Sequence, residues 1–225
     1  TGISSRGNSG SMLIGSGVST SGRGGSLYVT VGSGNSGSGG DVIIAGGGTS
    51  NAAIGTSTGG VIYMSGGTSA SQTGGRILIR SGVSTDQTSG SIGIVTSSSG
   101  TAGVSGYMIL STGISSKGNS GGLYIGSGVS SSGRGGSIYV TVGSGNSGSG
   151  GDVILMAGTS SLSTGGTIYL SAGTSSITTG GRILIQSGYS SAKSSGSIGI
   201  QTASSSTSGV SGYMILSTGI SSKGN

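Results

Sequence analysis

Histidine, cysteine, glutamate, proline, tryptophan and phenylalanine are all missing from this 225-residue chain, and only 5 % of its residues are charged. Each absence excludes something. Without cysteine there are no disulfide staples, and nothing firm follows about the redox compartment. Without His, Cys or Glu the usual general bases, nucleophile partners and soft metal ligands are gone, and Ser without a base is an ordinary hydroxyl. The acids are Asp41, Asp86 and Asp152. Asp41 and Asp152 occupy equivalent places in two copies of a repeat, and Asp86 has Ala192 as its counterpart, so no two carboxylates are expected to share a substrate. The expectation is that the chain is not an enzyme and carries no catalytic residue, cofactor or metal site. Long apolar runs are missing too: Tyr107 to Leu110 is about as long as they become, far short of a membrane span. The net charge of +6 is scattered, with no basic block to suit nucleic acid. No signal-peptide pattern is present, and the chain opens at Thr1 without an initiator Met, as a mature product or a window from something longer would.

What is present is glycine, 56 residues of it, among serine and threonine. Such a composition commonly makes a flexible linker. Disorder, however, goes with low hydrophobicity and high charge, whereas here mean hydropathy is +0.20 and charge is scarce. The apolar residues are also periodic. Gly24 to Gly32 gives the unit: a double glycine, a short aliphatic run (Leu27, Tyr28, Val29, Thr30, Val31) and a closing glycine. The first aliphatic residues of the runs are Met12, Leu27, Val42, Ile62, Ile77, Ile92, Met108, Leu123, Ile138, Val153, Ile168, Ile183, Ile198 and Met214. The step between them is 15 except for one step of 20 and two of 16. Fixed spacing of this kind is the signature of a repeat architecture.

A longer period lies on top. Thr1 to Asn8 returns as Thr112 to Asn119, with Lys117 for Arg6, and again as Thr218 to Asn225. Seven runs make one large repeat, so the chain reads as one continuous array: repeat one at 1–111, repeat two at 112–217 and the start of a third at 218–225. Repeat one is longer by five residues in the loop after Val42, around Asn51 to Ile54, an insertion expected to bulge outward. Both ends stop inside the same motif, and the array is expected to continue beyond them.

Positions one and three of each run are large aliphatics, from Met12 and Ile14 to Met214 and Leu216, and position five is small or Val. Period-two spacing puts these on one face of a strand. Glycine at this density, with no 3.6-residue pattern, excludes helix. Every run has the same polarity, whereas a meander would alternate its turns. The fold expected is therefore all-β: a single-chain parallel β-solenoid (β-helix) of about fourteen coils with about 15 residues per coil. Stacked at roughly 4.8 Å per coil, these would make a rod of roughly 65 Å.

Position two is the odd one. It holds Leu13, Tyr28, Ile43, Tyr63, Leu78, Gly93 and Ile109, then Tyr124, Tyr139, Ile154, Tyr169, Leu184, Gly199 and Ile215. With positions one and three inward, this strip faces out, yet all but the two glycines are apolar or Tyr. A strip of that kind marks an interaction surface unless the chain's own loops cover it, and Tyr suits an interface because its hydroxyl can stay wet. These twelve residues are the predicted lateral interface, and the expected partner is the chain itself, as a homo-oligomer or filament.

Other motifs weigh less. Gly32 to Gly37 and Gly143 to Gly148 fit G-x-G-x-x-G, but at this glycine content the match is nearly free and no helix follows. Gly39 to Ile43 resembles the calcium-binding nonapeptide β-roll, which needs an Asp in every turn; one per seven coils cannot build it. Arg23 and Arg134 resemble RGG segments without their clustering or interleaved aromatics, so no nucleic-acid partner is expected. Ice binding would need ranked Thr, whereas position four runs Gly15, Thr30, Ala45, Ser65, Arg80, Val95, Ser111. Glycan adhesion on Tyr and Asn has no motif for or against it. Over its full length the chain resembles Gly/Ser-rich repeat proteins built from GG-x-I-x-I-x-x-G units, on Gly25 to Gly32 and its thirteen relatives. Such repeats occur in surface and appendage proteins of microbes, algae and their viruses. The resemblance implies a structural protein of an extracellular or cell- or virion-surface fibre; an ice-binding or glycan-binding, adhesin-like solenoid is the alternative.

Overall fold

A computed structural model describes residues 2–4, 8–50 and 58–221. Among them there is no helix and no hydrogen-bonded strand ladder. The insertion at Asn51 to Ile54, and parts of the Thr1–Asn8 and Thr218–Asn225 motifs, lie outside the described residues. The chain divides into two units, Thr1–Ser111 and Thr112–Asn225. The division falls where the second copy of the large repeat begins.

Each unit is a series of extended runs joined by pinched loops. Two residues before position one there is a glycine in all fourteen runs, from Gly10 to Gly212. At nine of these glycines the N–H closes a neck by donating to the carbonyl of position six of the preceding run. In the first unit Gly25 donates to Gly17 at 3.1 Å, Gly60 to Gly47 at 2.8 Å, Gly75 to Gly67 at 2.7 Å and Gly90 to Gly82 at 3.0 Å. In the second, Gly136 donates to Gly128 at 3.2 Å, Gly151 to Gly143 at 3.4 Å, Gly166 to Gly158 at 2.8 Å, Gly181 to Gly173 at 2.8 Å and Gly196 to Gly188 at 2.9 Å. In the first neck of each large repeat, a Ser at position five adds a second bond: Ser16 donates to the Gly25 carbonyl at 2.8 Å, and Ser127 to that of Gly136 at 2.9 Å.

The neck explains two sequence features at once. A Cβ on Gly25 would stand 2.9 Å from the Ser16 Cβ, and one on Gly151 would stand 2.5 Å from a Val142 methyl. The neck glycine and position five face each other, so a side chain as large as Val142 fits at position five only because the glycine has none. Van der Waals packing leaves no room for more.

The loop tips have their own code. Position eight is Ser in most runs, and its hydroxyl accepts from the backbone N–H three residues on. Examples are Ser84 with Gln87 at 3.0 Å, Ser130 with Gly133 at 2.9 Å and Ser190 with Lys193 at 2.9 Å. These are serine turns, a local alternative to ladder bonding. The loops with one extra residue, before Met108 and Met214, use the same Ser differently. Ser99 and Ser205 donate to the carbonyls of Gly103 and Gly209, four residues on. In the loop after Gly32, position eight is Gly34, and Gly37 turns the chain at φ +100°, a conformation that glycine adopts without steric cost.

Candidate assembly surface

No side chain is buried among the described residues. The half-buried ones are confined to position five (Gly66, Ser81, Ala157, Ala172, Ser187) and position eight (Ser84, Ser190), the two places where the neck and the turn close. The accessible surface is 22445 Å², against about 9,000 Å² for a compact chain of this mass. The apolar runs are therefore the surface to be accounted for.

Exposure differs between the two faces of a run. In the fifth run Ile77 is 51 % exposed, Leu78 67 % and Ile79 58 %; in the fourth, Ile62 is 50 % and Tyr63 84 %. The cause is the neck. Position five points at the neck glycine, and by the period of two positions one and three share its face. The aliphatic face is thus the side on which the necks close, and position two lies opposite. All twelve predicted interface residues, Leu13 to Ile215, are at least 67 % exposed. Tyr124 differs from its counterpart Leu13 in leaning on its own backbone: its ring lies over Gly122, where a Cβ would come within 3.0 Å of it.

Asp41, Arg76, Asp152 and Arg182 are exposed as well, each on the residue immediately before its run. No group of three or more His, Cys, Asp or Glu that could hold a metal occurs among the described residues. A shallow concavity lined by Ile183, Ile215, Leu216, Ser217 and Thr218 offers apolar walls and two hydroxyls, without an acid or base. Nor does any described helix have the length and apolarity to cross a membrane. Sequence reasoning missed the pairing of the neck glycine with position five and the serine at position eight. Both carry a signal: the glycine recurs fourteen times, and the serine keeps the 15-residue step. No protein-family model, no curated protein and no solved structure matches the chain.

Proposed function

We propose that the chain is a structural repeat segment of an extracellular filament or surface fibre. In the assembled state the runs stack as coils of a parallel β-solenoid, and neighbouring rods associate side by side through position two. The reading rests above all on the exposure of every apolar run in a chain without acid–base, nucleophilic or metal-binding chemistry. Apolar surface left open on this scale is covered by association. Stacking would supply ladder partners for run backbone groups, which favours it further. Weak contacts repeated along a rod add into firm ones.

The test is electron microscopy and fibre diffraction of the assembled material. Filaments with a repeat of roughly 4.8 Å along the axis are expected; dispersed rods at all concentrations, or antiparallel hairpins, would overturn the reading. Replacing Tyr28, Tyr63, Tyr139 and Tyr169 with Ser together is expected to abolish lateral association and leave the β-signature intact. Collapse of the β-signature would show that the two faces of the run have been reversed.

A further inference from the structure

Gly93 and Gly199 are glycines that their own chain does not require. They hold position two of the sixth run in each large repeat, neither has a positive φ, and nothing lies within 4 Å of where a Cβ would stand. The neck glycines are explained by contact; these two sit in open space on the outward face. What would need the space is something outside the chain.

The order of residues along that face identifies it. Reverse the seven runs of repeat one about the fourth, and the position-two residues match by size. Tyr28 of run two falls opposite Gly93 of run six, Ile43 opposite Leu78, and Tyr63 opposite itself. The residue just before each run shares this face by the period of two, and there Asp41 of run three falls opposite Arg76 of run five. Repeat two gives the same result: Tyr139 against Gly199, Ile154 against Leu184, Asp152 against Arg182. A ring meets a notch and a carboxylate meets a guanidinium in both blocks. In the parallel, in-register arrangement, Asp41 would meet Asp41 and Arg76 would meet Arg76.

We propose that the position-two face of each large repeat docks antiparallel on the same face of a second copy of this chain, about a two-fold axis at the fourth run of the block. The inference rests on the stacked-filament reading above, since it needs the runs in order along a face. A contact of this kind is isologous. Tyr side chains bury about 150–250 Å² when covered, so two of them with four aliphatics approach the roughly 800 Å² per partner of a standard interface. Each chain has two such blocks and can hold two neighbours, which extends the assembly instead of closing it as a dimer.

Four variants of this chain test this, read as the concentration for half-assembly by light scattering and sedimentation. Gly93→Leu with Gly199→Leu fills both notches without touching anything in the chain itself, and is expected to raise that concentration by about tenfold or more. Adding Tyr28→Ala and Tyr139→Ala should recover most of the loss. Asp41→Arg with Asp152→Arg, and separately Arg76→Asp with Arg182→Asp, should each weaken assembly alone and restore it when mixed in equal amounts. Wild-type assembly by the notch-filled variant, or by either charge variant alone, overturns the antiparallel docking and leaves the filament reading standing. A wild-type chain that stays monomeric at every concentration overturns both.

Discussion

The loops after the third run of each repeat answer the same geometric demand with different lengths of chain. In repeat one, Gly47 and Gly60 are thirteen residues apart; in repeat two, Gly158 and Gly166 are eight apart. Both necks close at 2.8 Å. Loop length is therefore not what sets the neck. What the two have in common is a carbonyl at position six and a glycine N–H two residues before the next run, with no side chain on that glycine to hold them apart. The difference lies in position five, which is Gly46 in repeat one and Ala157 in repeat two. The neck accepts a methyl on one side, provided the glycine remains on the other.

The largest effect is expected from breaking the shared element. A Cβ on Gly60 would meet the Gly47 backbone nitrogen at 3.0 Å, and one on Gly166 would meet that of Gly158 at 3.1 Å. Backbone cannot rotate away as a side chain can. Gly60→Val and Gly166→Val should each open the neck at a cost of about 1–3 kcal/mol, read as amide exchange at the substituted position about tenfold faster or more. Protection unchanged in either variant would show that the neck glycine is incidental.

A smaller, asymmetric effect tests what separates the two loops. A Cβ on Gly46 would stand 2.6 Å from the Gly60 carbonyl oxygen, so Gly46→Ala should loosen the repeat-one neck by about 1 kcal/mol. Ala157→Gly removes a methyl that the repeat-two neck already accommodates. It should leave exchange at Gly166 within about threefold of wild type. Equal responses in the two repeats would mean that position five plays no part in closure.

These contrasts show how far the sequence can be read. The step of 15 locates every run, and the alternation of Met12, Leu13 and Ile14 puts neighbours on opposite sides of an extended run, while no strand ladder among the described residues joins one run to the next. The return of Thr1 to Asn8 at Thr112 is where the sequence itself begins its second large repeat. The necks were not legible, although their glycines stood in plain view. In a chain with 56 glycines a single invariant one has no contrast, and only its contact with Ser16, Val31 or Ala172 across the neck gives it meaning. Likewise Ser84 reads as loop filler until its hydroxyl is seen against the Gln87 N–H. The candidate surface, Leu13 to Ile215, is a reading of the sequence, and the structure leaves positions one and three exposed along with it. Its notches at Gly93 and Gly199 became informative only when the space around them proved empty.

The smallest expected effect is also the most direct test of the comparison. Deleting residues 51–55 would bring the repeat-one loop to the length of its counterpart, leaving Gly47 and Gly60 eight residues apart as Gly158 and Gly166 are. If the neck is held by the glycine pair, the deletion changes little beyond the entropy of closing a shorter loop. That term grows as the logarithm of length, so shortening thirteen to eight favours closure by only about 0.4 kcal/mol. Exchange at Gly60 should therefore slow by about twofold, and the concentration for half-assembly should stay where it was, since the deleted residues belong to none of the runs. A large gain in protection would mean that the long loop strains its neck in spite of the matching 2.8 Å bonds. A loss of assembly would mean that the insertion itself takes part in the contact between copies, and that the two large repeats are not equivalent docking blocks.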